Sequence, residues 1–301
     1  MTHITPPLAA PVSGPSDQAK GILLVTGSAL VWSFGGAIAR YLEVADSWTI
    51  VFWRSLFAII FLLLFMFWRD GLRGTYKLFA QMGWPGLVVA ACFATASMSF
   101  VVALKYTTVA NILLMQAGVP LLAALLAWII FRERISLATW GAIAAVITGV
   151  GVMVSDSLGG KVSLLGDGLA VVISFAFAIA TVTTRRHREV RMVPATCLGV
   201  VIACVVAFNL AGGYQISAID TGLLFLFGAI NLGMGLAMFS YGARILPAAL
   251  TALLGTLEPV AGPVWVWLFH NEIPNGRTIS GGLIVFTALM AHLLMEWRKS
   301  R

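Results

Sequence analysis

Charged side chains are scarce in this chain. Lys and Arg number 19 and Asp and Glu 12 among 301 residues, 10% of the whole, where a soluble domain carries about a quarter. The shortage excludes a water-soluble globule: with 60% hydrophobic residues, too little polar surface exists to cover the apolar mass, which must face lipid. Histidine is as sparse, and His3, His187, His270 and His292 are dispersed along the sequence. H-E-x-x-H, G-x-S-x-G and Walker patterns are missing, so neither an enzyme constellation nor an ATP-hydrolysing domain can be assembled. Cysteine is confined to Cys92, Cys197 and Cys204, each inside an apolar run and none in C-x-x-C spacing. They make no metal site and no disulfide framework, and no cofactor or metal is expected. A ring of like charges or a repeated pore motif, which a channel needs, is also missing.

What is present is a series of long apolar runs. A helix crossing a ~30 Å hydrocarbon layer needs roughly 20 apolar residues, and ten segments qualify: 20–41, 47–68, 83–104, 108–131, 137–156, 166–184, 194–212, 220–243, 247–269 and 278–296. None alternates as a barrel strand does. The expected fold class is an all-α integral membrane protein of ten transmembrane helices, with the bilayer as its surroundings. Residues 1–19 hold Pro6, Pro7, Pro11 and Pro15 and read as a retained, disordered cytoplasmic tail.

The net charge of +7 points to orientation rather than to a nucleic-acid partner. Fourteen of the 19 Lys and Arg fall in the tail, the even-numbered loops and the C-terminus; Arg40, Lys105, Lys161 and Arg277 fall in the odd-numbered loops. That bias places both termini in the cytoplasm of a cell whose inner membrane holds the chain. Trp48, Trp68, Trp84, Trp128, Trp140, Trp265, Trp267 and Trp297 lie near span ends, as an aromatic belt requires, whereas Trp32 lies at mid-span.

Sliding the chain by 139 residues aligns 100–136 with 239–275 without a gap. Pro120 meets Pro259, Trp128 meets Trp267 and Glu133 meets Glu272. Two repeats follow, 20–156 and 166–297. With five spans each, the second crosses the membrane in the opposite sense to the first, the inverted-topology arrangement of secondary transporters.

Trp32-Ser33, Pro120…Glu133 and Glu258-Pro259…Glu272 carry a family resemblance over residues 20–297. The chain resembles the drug/metabolite transporter superfamily, in its EamA-type ten-helix branch, and looks most like the YddG-type aromatic amino-acid exporters. The resemblance implies a carrier of amino acids with no cofactor, and fifth and tenth helices peripheral to the cavity. The family often has a sixth-span tryptophan too, and here Phe175 and Phe177 occupy that region.

Proline inside a span frees a backbone carbonyl, and breaks at corresponding places in two halves point to a midplane site. Gly118 and Pro120 in the fourth span and Pro259, Gly262 and Pro263 in the ninth are the expected hinges. Glu258 is the only acidic residue deep in a span; a charge there costs roughly 2.5–3.5 kcal/mol on insertion scales. Three roles are open to it: a protonated structural group, a partner of Arg54, or a contact for substrate or a coupling proton. Arg54 enters the second span about 10 Å deep at 1.5 Å per residue. It is open to snorkelling, to pairing with Glu258 and to recognising a substrate carboxylate. The expected substrate-binding set is Trp32, Ser97, Met98, Asn111, Met115, Gln116, Phe175, Asn231 and Glu258, a largely uncharged, partly aromatic cavity suited to a zwitterion with a bulky apolar side chain. Gly141, Ala145 and Gly149 form a small-residue stripe that reads as packing within the bundle, with a homodimer contact behind it; a monomer or a homodimer is expected.

Overall fold

The computed structural model describes residues 15–132, 135–158, 163–187, 190–246 and 248–299, and every regular element among them is helical. In the first half, α1 (Pro15–Ser33) and α2 (Gly35–Tyr41) make the first span, α3 (Ser47–Gln81) the second and α4 (Gly83–Ala103) the third. The fourth is α5 (Val109–Gln116) with α6 (Val119–Phe131), and the fifth is α7 (Leu137–Leu158). The second half runs through α8 (Leu164–Arg186) and α9 (Val193–Leu210). Its eighth span is α10 (Ala218–Phe225), a π-helix (Leu226–Met234) and α11 (Gly235–Gly242). Next come α12 (Ala248–Gly255) and α13 (Leu257–His270), then α14 (Gly276–Lys299). Among the described residues nine spans are each long and apolar enough to cross a bilayer, and the α5–α6 pair, bent by 42°, makes a tenth if taken as one span.

Two boundaries depart from expectation. Helix α1 starts at Pro15, inside the tail read as disordered, because proline is tolerated in a first turn where its missing N–H has no partner to lose. Helix α3 continues past its span to Gln81, with a break at Gly71 (φ 68°, ψ 172°), a conformation open to a residue without a Cβ. Beyond that break Leu72 and Tyr76 are exposed, so this stretch is a surface helix rather than a loop.

The 139-residue repeat reappears in the element boundaries. Helices α4 and α11 end at Ala103 and Gly242; α5 spans Val109–Gln116 and α12 spans Ala248–Gly255; α7 and α14 start at Leu137 and Gly276. Arg132 (φ 56°) and Asn271 (φ 53°), the non-glycine residues with positive φ among those described, close α6 and α13 at the same offset. Glu133 lies outside the described residues.

Packing is crosswise. Helix α8 of the second half lies on α4 and α6 of the first, and α1 lies on α11 and α13. Helices α3 and α9 pair at the interface of the halves, and α7 packs along α14. At the α7–α14 crossing a Cβ on Gly149 would sit 2.7 Å from the Gly281 carbonyl oxygen, and one on Gly281 2.5 Å from that of Gly149. The stripe therefore works within the chain at Gly149, whereas Gly141 faces open space.

Candidate functional site

The first span is broken at its midpoint, and the break organises the site. Helix α1 stops at Ser33, Phe34 is non-continuous, and α2 starts at Gly35. Such a break weakens the backbone bonding of nearby carbonyls, the Val31 carbonyl keeping only a 3.4 Å bond from the Phe34 amide, and in hydrocarbon each must be answered. Asn231, on the π-helix of the other half, donates from Nδ2 to the carbonyls of Val31 (2.6 Å) and Trp32 (3.2 Å). Ser33 Oγ donates to the Leu30 carbonyl and accepts from Trp265 Nε1 at 2.9 Å. Trp265 also stacks on Phe34, with centroids 4.5 Å apart. Expected in the aromatic belt, Trp265 instead faces inward, held by that ring and that hydroxyl. Trp68, Trp84 and Trp267 are exposed, as belt residues are.

Around this break the fourth and ninth spans are broken too. Pro120 lies in the first turn of α6 after the Gly118 cap, and Pro259 in the first turn of α13, positions where a missing N–H costs no helical bond. Pro263 lies inside α13. A Cβ on Gly262 would strike Leu113 of α5 and sit 3.5 Å from the Ser33 carbonyl, so α1, α5 and α13 meet in one layer. About one helical turn on from Leu113 comes Gln116, and about one turn back from Gly262 comes Glu258. Gln116 Nε2 is buried without a hydrogen-bond partner. Glu258 is half-buried, and no hydrogen bond or ion pair engages its carboxylate among the described residues. Trp32 is half-buried over Gly235 and 5.3 Å from Phe239, so it borders the same region from the α1–α11 side. An unanswered amide, an unanswered carboxylate and an indole, each near this layer along its own helix, are groups that a polar ligand with an apolar body would satisfy.

The remaining expected residues divide. Met115 is fully buried in the apolar core with Ile112, Ile173 and Val266. Ser97 is buried on α4, and Met98 packs near Val51 and Phe227. Asn111 is committed elsewhere: its Nδ2 donates to Asp167 Oδ1 and to Thr107 Oγ1 (3.1 Å), and its Oδ1 accepts from Thr278 at 3.5 Å. Phe175 is 43% exposed. The buried stripe of α8 runs through Asp167, Ala170, Ile173, Ser174 and Ala178, and Phe177, ring to ring with Phe93, is its inward aromatic.

Arg54 neither snorkels nor pairs with Glu258. It is 6% exposed, lies over the Phe227 ring at 4.3 Å and near Phe100 at 5.8 Å, and its Nε and Nη1 have no hydrogen-bond partner.

A latch that sequence reasoning missed lies beyond the break. Arg40 Nε bonds Glu272 Oε2 at 2.8 Å, and its Nη1 and Nη2 donate to the carbonyls of Leu104 and Thr107. Glu272 Oε1 accepts from the Val109 amide at 2.8 Å, capping α5. Together they tie the first span, the α4–α5 hairpin and the end of α13. His270 Nε2 lies 3.0 Å from the Ala37 carbonyl, and its ring 4.3 Å from that of Tyr41. The available signal was Arg40 itself, a cation on the charge-poor side of the bilayer, and the repeated glutamate. Asp167, buried at 1% in the first turn of α8, was missed because it sits just inside a span end.

At the α3 N-terminus burial works to raise the Asp46 carboxyl, but hydrogen bonds from the Thr49 hydroxyl and the amides of Gly212, Trp48 and Thr49 outweigh it and hold it below its ordinary value. With Glu43 and Asp220 it lines an open groove of about 940 Å³ at this end. Among the described residues no cluster of His, Cys, Asp or Glu has the makings of a metal site.

The EamA-like transporter family model matches residues 19–155 and 164–294. A biotin transporter of Escherichia coli (strain K12) is 28% identical over 203 residues, 62% of this chain and 66% of that protein, so the match spans just under two thirds of that relative's length. The human solute carrier family 35 member G1 is 22% identical over 93% of this chain and 80% of its own. A solved structure described as a crystal structure of a protein superposes with a TM-score of 0.65 at 16% identity, over 92% of this chain and 98% of that one.

Proposed function

The chain belongs to the EamA-like transporter family of the drug/metabolite transporter superfamily, and within it we propose alternating-access export of small metabolites, neutral and aromatic amino acids first among them. The observation that carries this reading is the layer where the interrupted first, fourth and ninth spans meet at Ser33, Leu113 and Gly262, with Gln116 and Glu258 unanswered one turn from it on their own helices and Trp32 next to Ser33 in the chain. Amide, carboxyl and indole suit a zwitterion with a bulky apolar side chain. The two families of breaks at one repeat offset supply the second requirement, paired hinges through which the halves exchange shape. In the present state the Arg40–Glu272 latch ties one end of the bundle shut.

The 14-to-4 bias of Lys and Arg supports an inner-membrane protein with both termini in the cytoplasm, which puts the latch on the outer side. Occupation of Gly149 by Gly281 of the same chain supports a monomeric carrier over a dimer built on that stripe.

Counterflow in proteoliposomes tests the reading. Vesicles loaded with unlabelled phenylalanine should accumulate labelled phenylalanine or tryptophan from outside, and Trp32→Ala and Gln116→Ala should lower the rate about tenfold or more while leaving folded protein. Wild-type rates in both variants would remove these residues from the site. The relatives named as biotin transporters favour a second reading, a carrier of other neutral-bodied metabolites; biotin exchange without amino-acid exchange would establish it.

A further inference from the structure

Buried cations in membranes are answered by a carboxylate, by carbonyls or by water. No carboxylate or carbonyl answers Arg54 among the described residues. Its position joins the two halves: the guanidinium lies on Phe227 at the start of the π-helix, with Phe100 of α4 beyond it. The Arg54 carbonyl is in contact with Gly228, so the backbones of α3 and the π-helix touch at this level. Nearby carboxylates on these elements are spoken for. Asp46, two turns back along α3, takes the amides of Trp48, Thr49 and Gly212; Asp220, two turns back from Phe227, takes the Glu43 amide and the Ser217 hydroxyl. Ring contacts hold the guanidinium in place but use none of its N–H groups, and Nε and Nη1 remain unmet.

We propose that Arg54 is the carboxylate receptor of the transport path, so that the cargo is a small molecule bearing a carboxylate on an apolar or aromatic body. The inference rests on the transporter reading above and names the charged group its cargo must carry. A guanidinium presents a planar fork of donors that a carboxylate accepts in pairs, and no neutral isostere matches it. Phe100 and Phe227 supply an apolar wall beside the fork for the body of the ligand. A π-helix at this place fits the role, since its extra residue re-aims side chains locally. In the latched state the rings cover the guanidinium; release of Arg40 from Glu272 frees α2 and the α4–α5 hairpin, next to Phe100, to move off it.

Matched acids and amides test this without any mutation. In wild-type proteoliposomes with labelled phenylalanine, unlabelled phenylalanine and 3-phenylpropionate should compete, while phenylalaninamide should be weaker by about tenfold or more, the loss of a charge-assisted pair. Arg54→Gln should erase the difference, and Arg54→Lys should keep part of it, in protein that remains monodisperse with an unchanged thermal transition. Equal competition by acid and amide in the wild type overturns the receptor assignment and leaves amino-acid transport standing. A difference that persists in Arg54→Gln makes Arg54 a structural clamp and equally overturns it. If no amino acid exchanges but biotin does, and its amide does not compete, the amino-acid reading fails while Arg54 keeps its role.

Discussion

The first helices of the two repeats carry the same local sequence and adopt different shapes. Ser33-Phe34 followed by Ala37-Ile38-Ala39 in the first span recurs as Ser174-Phe175 followed by Ala178-Ile179-Ala180 in α8. The first span breaks at Phe34, while α8 runs unbroken from Leu164 to Arg186. Between the shared residues stand Gly35-Gly36 in one copy and Ala176-Phe177 in the other. Glycine gives up about 1 kcal/mol of helix preference relative to alanine, and its missing Cβ lets Asn231 and Val109 approach the backbone at Gly35 and Gly36. In α8 the Ser174 hydroxyl bonds back to the Ala170 carbonyl within its own helix, and the repeat position of Trp265 is Leu126, so Phe175 has no ring to stack on. Breaks shared by both copies, in the fourth and ninth spans, are hinges; the break in one copy alone is where the site was built.

The largest effect should come from making the first span resemble α8. Gly36→Ala places a methyl into the Val109 side chain, and overpacking of this kind costs about 1–3 kcal/mol. Counterflow should fall about tenfold or more, whereas Ala176→Gly, which gives α8 the glycine of the Gly35 position, should leave it within about twofold. Equal losses in both variants would show that the two helices are not specialised. Next in size is the latch. Glu272→Gln weakens a charge-assisted bond to Arg40 and the cap on Val109, for which we expect about 1.5–3 kcal/mol less stability by thermal unfolding. Outer-side thiol labelling of Thr107→Cys should rise in that background, because the hairpin it closes is freed. Asn231→Leu should follow, removing the side-chain donor to the Val31 and Trp32 carbonyls at about 1–3 kcal/mol and slowing exchange.

The same contrast explains how much was legible in the sequence. Ten spans and an inverted repeat were readable because apolar run length and the recurrence of Pro120, Glu133 and Trp128 at Pro259, Glu272 and Trp267 are properties of position along the chain. Rotation of each helix about its axis is not such a property. Phe175 and Phe177 sit two residues apart on one apolar helix, and only packing of α8 on α4 and α6 turns Phe177 inward. Trp265 lies close enough to a span end to look like a belt residue until Ser33, 232 residues away, meets its indole. Arg40 and Glu272 are equally distant in sequence, and each alone reads as a surface charge. Polar residues with partners in the other half were thus visible as residues and invisible as contacts. Asn111 and Gln116 show the same limit: one amide is saturated by Asp167 and Thr107 and the other is not, though the sequence offers no difference between them.

The smallest expected effect lies at the N-terminus of α3, away from both copies of the break. Asp46 accepts from the amides of Trp48 and Thr49, from the Thr49 hydroxyl and from the Gly212 amide, so it caps α3 and ties it to the loop after α9. Replacing a capping aspartate by alanine costs about 1 kcal/mol. Because these hydrogen bonds hold its carboxyl below the ordinary value despite burial, the contribution is present at neutral and mildly acidic pH. It is lost only as pH falls below the ordinary carboxylate range, through the depressed folded value. Thermal unfolding of wild type and Asp46→Ala should therefore differ at pH 7 and converge as the pH is taken well below 4. Counterflow in the variant should stay near wild type, since the loop ties at this end do not reach Gln116 or Glu258. A large transport loss with little change in stability would place the acidic groove of Glu43, Asp46 and Asp220 on the path of the cargo, and would move the specialised region of the first half from the broken span to the mouth of the second.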